Sequence, residues 1–146
     1  MMQPRTLSYL DVVDQIRGLI EGNRDYVYPA QIGAGGNRSC RYWHEEESKP
    51  GCIVGIWGHS LGLAKHVLQH CENNGSIIVV ERLEEAGFVF EDRTNVTRFM
   101  QGLQTAQDCG ATWGYAYDNA CDTMSLRQEN EILKTNLIEA RKAKTE

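Results

Sequence analysis

The pentapeptide Gly58-His59-Ser60-Leu61-Gly62 is the sharpest chemical motif in the chain. It fits G-x-S-x-G, the nucleophile elbow that exposes a serine on a tight strand-to-helix turn for attack on an acyl carbonyl. The flanks permit that context, with residues 52–57 as a strand and 63–71 as a helix. The chemistry also needs a histidine base, and in that fold the histidine follows both the serine and the acid in chain order. Only His66 and His70 follow Ser60, and the presumed helix would carry them away from the elbow. The alternating strand-helix series that builds the hydrolase sheet is missing as well. The expectation is a glycine-rich helix, or helix pair, packed closely against a neighbour.

Zinc is the second chemistry to weigh. Cys40-x3-His44 and His66-x3-His70 each place two ligands one helical turn apart, with Cys52 and Cys71 near them in sequence. Thiolate and imidazole are the ligands zinc takes in tetrahedral sites. The first pair, however, falls in a run of strand character, where residues four apart are separated by ~13 Å. No C-x2-C knuckle occurs, and a reduced cysteine is a good core residue in its own right. Buried thiols at Cys40, Cys52 and Cys71 are therefore expected, with no metal and no cofactor. A thiol nucleophile at Cys52 or Cys109 would need a histidine beside it, and nothing local in the sequence supplies one. Glu45-Glu46-Glu47 and Glu84-Glu85 read as solvated faces. Tyr42, Trp43, Trp57 and Trp113 read as core, because they lack the interleaved lysine and arginine of a base-stacking platform.

The elements that must position these residues can be outlined. Leu7, Leu10, Val13, Ile16 and Ile20 recur at spacings of three and four, one face of a helix capped by Thr6 and ended by Gly22-Asn23. Residues 26–28 and 40–44 have strand character, and residues 32–37 between them read as a loop, so the simplest arrangement is an antiparallel hairpin. Residues 48–51 read as a turn. Residues 52–71 suit a buried helix, broken near Gly58. Residues 77–80 are β-branched, but Ile77, Val80, Leu83 and Ala86 keep helical spacing, so a helix is expected, closed by Gly87 and apolar Phe88. Thr94 can cap a helix with the face Val96, Phe99, Met100, Leu103 and Ala106, ended by Gly110. Thr112 can cap a last, long helix running to the C-terminus. The fold class is α+β, mainly α: a small β-hairpin with several helices and a long C-terminal helix.

Composition bounds what such a domain can do. The chain has 146 residues, 41% hydrophobic and 24% charged, which suits one globular domain with a real core. Its net charge of −5 keeps it soluble and leaves no electrostatic footprint for nucleic acid. No apolar run approaches the ~20 residues of a membrane helix, and the N-terminus lacks the apolar core of a signal peptide. A cytoplasmic location is expected. Five cysteines, an odd number without regular close spacing, then read as reduced thiols rather than a disulfide framework.

The C-terminal arm carries the clearest pattern. The division is a globular domain over residues 1–120 and a helical arm over 121–146. With Leu126, Leu133 and Ala140 at heptad position d, Thr123, Asn130 and Leu137 fall at a. Leucine at d with one asparagine at a selects parallel two-stranded coiled coils, because the amides pair across the seam. Asp122 and Glu129 occupy g, and Arg127 and Lys134 occupy e, so a parallel pair sets Asp122 against Arg127 and Glu129 against Lys134 of the second chain. The arm has fewer than three heptads and is marginal alone, so the domain must nucleate it. The competing arrangement is one amphipathic helix laid back on its own domain; pairing is favoured.

Three stretches resemble a group of small uncharacterised proteins of actinobacterial bacteriophages. They are Asp25-Tyr26-Val27-Tyr28-Pro29, then Cys40-Arg41-Tyr42 with Pro50-Gly51-Cys52-Ile53-Val54-Gly55, and Ala106-Gln107-Asp108-Cys109-Gly110 with Trp113-Gly114-Tyr115-Ala116. The resemblance spans about residues 7–120 and leaves the arm outside. It implies a phage origin and a host cytoplasm, and it carries no catalytic residue with it. The expected function is therefore a non-catalytic phage accessory or regulatory protein: a homodimer that binds a host or phage protein. A winged-helix-like DNA-binding dimer and an enzyme built on Ser60 or zinc are the alternatives.

Overall fold

The computed structural model describes residues 5–29, 31–32, 38–39, 41–72 and 74–145. Six helices dominate it: α1 (Tyr9–Ile20), α2 (Ile53–Ser60), α3 (Lys65–His70), α4 (Ile77–Glu85), α5 (Arg93–Asp108) and α6 (Trp113–Thr145). The strands are short and pair two by two. β1 (Arg5–Leu7) runs parallel to β6 (Phe88–Phe90), β2 (Gln31–Ile32) antiparallel to β3 (Arg38–Ser39), and β4 (Trp43–His44) antiparallel to β5 (Lys49–Pro50). The fold is α+β, mainly α. No described helix is long and apolar enough to cross a membrane.

α1 starts two residues later than the sequence suggests. The Ser8 hydroxyl accepts the Asp11 N–H at 3.1 Å, and Asp11 Oδ2 accepts the Ser8 N–H at 2.9 Å. This reciprocal box satisfies two backbone donors at once. Thr6 has tyrosine three residues on and cannot form one; it joins β1 instead. The buried face is Val12, Ile16 and Ile20, while Leu10 is 69% exposed.

The expected hairpin between residues 26–28 and 40–44 is resolved differently. Val27 forms an isolated bridge with Thr112, β2 and β3 make the hairpin inside that span, and Trp43–His44 pair with Lys49–Pro50 across a turn at 45–48, so a strand lies where a turn was expected at 48–51. The loop expected at 32–37 lies, after Ile32, outside the described residues.

Glycines set the middle of the chain. The 52–71 helix breaks at Gly62 rather than Gly58, because Gly62 takes φ +108, a region costly for any residue with a Cβ. Gly58 remains helical. A Cβ there would lie 2.9 Å from Val79 Cγ1, and one at Gly55 would lie 2.3 Å from the Tyr42 carbonyl oxygen. α2 therefore packs directly on α4 and on the Tyr42 backbone, and Ile53 and Trp57 are buried in the core, Trp57 against Phe90 with its Nε1–H donated to Gln15 of α1.

α4 ends as expected, with Gly87 at φ +106 and its N–H donated to the Glu84 carbonyl. The following strand β6 was not legible. Phe88 and Phe90 point inward and Val89 outward, as a three-residue strand demands. α5 buries Val96, Phe99, Met100 and Leu103, and Gly110 turns the chain at φ +93. Thr112 immediately precedes α6, and its Oγ1 accepts the Tyr115 N–H at 3.1 Å. α5 and α6 form an antiparallel hairpin close enough that a Cβ on Gly102 would sit 4.0 Å from that of Ala120.

Candidate functional site

α6 is one unbroken helix with two unlike halves. In the first, Trp113, Ala116, Ala120 and Met124 are buried against the domain at spacings of three, four and four. From Ser125 to Lys144 every residue is exposed. The reason is length. Sixteen residues of α5 span roughly 24 Å and thirty-three of α6 roughly 50 Å, so the second helix overshoots the first by more than 20 Å. The arm is not laid back on its own domain.

The seam residues lie on that projecting half. Leu126, Leu133 and Leu137 are 61%, 59% and 57% exposed, and Asn130, Ala140, Glu129 and Lys134 are exposed with them. At about 100° per residue, the a/d stripe sits about a third of a turn round from the stripe that packs on α5. The leucines are therefore not a continuation of the domain's own core face. Ile132 and Ile138, at heptad positions c and b, are also more than half exposed and fall outside the seam. Lys134 Nζ lies 3.9 Å from Glu131 Oε1, both largely in solvent. Among the described residues, Asp122, Arg127 and Glu129 form no ion pair within the chain. An open cleft of about 580 Å³ lies where the arm leaves α5, lined by Asn95, Arg98, Arg127, Asn130 and Lys134 among others.

Ser60 does not sit on an elbow. It is the last residue of α2, and its hydroxyl donates to the Trp57 carbonyl at 2.6 Å, one turn back. The neighbouring His59 faces the Leu63 carbonyl at 3.1 Å through Nδ1, and His66 and His70 are exposed on α3. Helix rather than strand precedes the serine because residues 53–58 bury an all-round apolar segment between α4 and the 41–43 backbone, a place that suits a short helix with two glycines.

The cysteine reading needs one correction. Cys52 is disulfide-bonded, whereas Cys71, Cys109 and Cys121 are free thiols. Cys40 lies outside the described residues. A bonded Cys52 is neither a thiolate nucleophile nor a zinc ligand. Burial pushes the Cys71 and Cys121 thiols above their ordinary pKa, which makes them poorer nucleophiles. Among the described residues no group of three or more His, Cys, Asp or Glu side chains could hold a metal ion.

Two polar clusters went unread in the sequence. Gln107 is buried at 1% exposure, and its Oε1 accepts both the Ile53 N–H and the Trp113 Nε1–H at 3.0 Å. It caps α2, whose own N-cap Cys52 supplies no side-chain bond, and ties that helix to the root of α6. The signal was its place four residues after Leu103 on the buried face of α5. Beside it, Asp108 Oδ1 is buried without a hydrogen-bond partner, and burial raises that carboxyl to about 6, an effect the adjacent Gln107 side chain only partly offsets. The second cluster is Tyr28, whose hydroxyl accepts the Arg41 N–H at 3.0 Å and lies 2.8 Å from His44 Nε2. Tyr28 and His44 line a cleft of about 330 Å³ with Tyr26, Lys49 and Trp113. Nearby, the Glu72 carboxylate accepts the backbone N–H groups of Tyr42 and Trp43 at 3.4 and 3.2 Å. These contacts hold the 41–44 segment in place.

No protein-family model, no curated protein and no solved structure matches this chain.

Proposed function

We propose that this chain is a non-catalytic accessory protein of an actinobacterial phage that acts as a parallel homodimer binding a protein partner. The observation that carries the reading is the arm. Three leucines of one a/d stripe stand more than half exposed on a helix that overshoots its own domain, and a solvent-facing leucine stripe in heptad register is the surface a second helix covers. The g and e charges agree: Asp122, Arg127 and Glu129 form no ion pair within the chain among the described residues, and parallel pairing would give each an opposite charge. The phage origin rests on the sequence resemblance over residues 7–120. The non-catalytic reading draws on Ser60, whose hydroxyl is engaged by the Trp57 carbonyl rather than by a base. A net charge of −5 favours a protein partner over DNA.

The test is capture and reconstitution. Immobilised wild type and Leu133→Asp are exposed to actinobacterial lysate, and any retained protein is purified and titrated back. A partner that binds wild type stoichiometrically and Leu133→Asp at least tenfold more weakly supports the reading. A salt-dependent shift of duplex DNA by the purified protein, or covalent labelling of Ser60 by a fluorophosphonate, contradicts it.

A further inference from the structure

We infer that the dimer interface extends from the arm onto the domain, where Arg98 of α5 meets Asp122 of the partner subunit beside Arg127. The inference rests on the seam reading of the arm.

Two clefts run end to end along the α5–α6 hairpin, and Arg98 and Arg127 line both. The α6 residues facing them include Thr123 and Asn130, at heptad position a, and Arg127 and Lys134, at e. This is one flank of the seam, the flank on which a parallel partner presents its g residues. Those residues are acidic, Asp122 and Glu129. The flank they would enter holds the cations Arg98, Arg127 and Lys134 and one acid, Glu131, which Lys134 faces at 3.9 Å, so Arg98 and Arg127 are its unmatched charges. Arg98, like Asp122, Arg127 and Glu129, has no ion pair in its own chain among the described residues. Unmatched charges of opposite sign, on surfaces that parallel pairing would bring together, identify the occupant as a second copy. Antiparallel pairing would set g against g and bring acid against acid.

Space and energy point the same way. Small residues, Gly102, Ala106 and Ala120, line the second cleft beside Arg98 and Arg127, which leaves an opening between the two arginines. A seam of fewer than three heptads is marginal as a bare two-helix coil. Contacts with α5 widen it into a small helical bundle at its root and explain how so short an arm could hold a dimer. The sequence carries no local sign of this, because Arg98 lies outside the heptads and reaches the seam only through the hairpin.

Sedimentation equilibrium of the full chain tests the inference, with wild type, Arg98→Ala, Asp122→Ala and the double variant. Wild type is expected to be a dimer. Arg98→Ala should raise the dimer Kd roughly 3- to 30-fold, as two partly exposed ion pairs are lost per dimer. Added salt should weaken wild type more than the variant. In the Asp122→Ala background the Arg98→Ala effect should vanish. Unchanged far-UV circular dichroism and melting of the dissociated chain confirm that the variants are folded. If Arg98→Ala dimerises as tightly as wild type, α5 is outside the interface and this inference fails while the seam stands. If wild type is a monomer, the seam reading fails and takes the inference with it.

Discussion

Met124 and Leu126 are two residues apart on the same helix, yet Met124 is 3% exposed and Leu126 61%. Met124 closes the stripe that packs α6 on α5, and Leu126 opens the stripe that faces solvent. The two stripes lie about a third of a turn apart, so a single helix packs on the domain with one face and leaves a second apolar face in solvent.

Asp108 should make stability fall as pH rises. Burial lifts its folded-state pKa from the ordinary 3.8 to about 6. Between those values the native state binds more protons than the unfolded one, so the stabilisation is fully present below pH ~4 and lost on passing pH ~6. Asp108→Asn removes the buried charge. It should raise unfolding free energy at pH 7.5 by roughly 1–3 kcal/mol and flatten the slope between pH 4 and 6.5. Urea titrations at a series of pH values measure both. A variant with the wild-type slope would show that the carboxyl titrates normally.

Gln107 should be costly to remove. Gln107→Leu keeps the volume but strands the Ile53 N–H and the Trp113 Nε1–H, each 3.0 Å from the lost oxygen. Each buried unsatisfied donor costs ~1–3 kcal/mol, so the loss should be roughly 2–5 kcal/mol. Chemical denaturation reads it directly, and a loss under 1 kcal/mol would mean that water replaces the amide.

Two helical glycines should respond in opposite directions to alanine. At Gly55 the new Cβ would lie 2.3 Å from the Tyr42 carbonyl oxygen, which is backbone and cannot swing aside. Gly55→Ala should therefore destabilise by at least about 1–3 kcal/mol. At Gly18, inside α1, nothing lies within 4 Å. Gly18→Ala should stabilise by about 0.5–1 kcal/mol through helix propensity. Thermal melts of the pair suffice, and equal signs would contradict the packing described for α2.

Local patterns were legible and through-space ones were not. Residues 77–85 form a helix despite the β-branching of 77–80, ending at a glycine with φ +106, but the buried residues are Val79, Val80 and Leu83, while Ile77 and Ala86 of the expected face are exposed. Thr112 and the heptads of the arm were equally local. β1 and β6, three residues each and more than eighty apart, offer no periodicity to count, and their parallel pairing exists only once α4 has brought Phe88 beside Arg5. The Cys52 disulfide is likewise a matter of spatial proximity, which odd cysteine counting cannot see. Thr6 lost to Ser8 because the decisive residue was the acid three positions on, and Asp11 follows Ser8 in that place. Of the candidate site, the leucines and the g/e charges could be read directly. Their exposure follows from the relative lengths of α5 and α6, and the place of Arg98 beside Arg127 follows from the α5–α6 hairpin.

The dimer itself is the central claim, and sedimentation equilibrium of wild type beside Leu133→Asp tests it most directly. Leu133→Asp would place an unpaired carboxylate in the seam, where its desolvation is expensive. Asn130→Leu, run alongside, should tighten association while relaxing the choice of oligomer, since the buried amide pair penalises trimers and shifted registers. The account predicts a wild-type dimer at tens of micromolar, a monomeric Leu133→Asp with its helical signal essentially retained, and species beyond the dimer for Asn130→Leu. A monomeric wild type, or a Leu133→Asp chain that still dimerises, would contradict it.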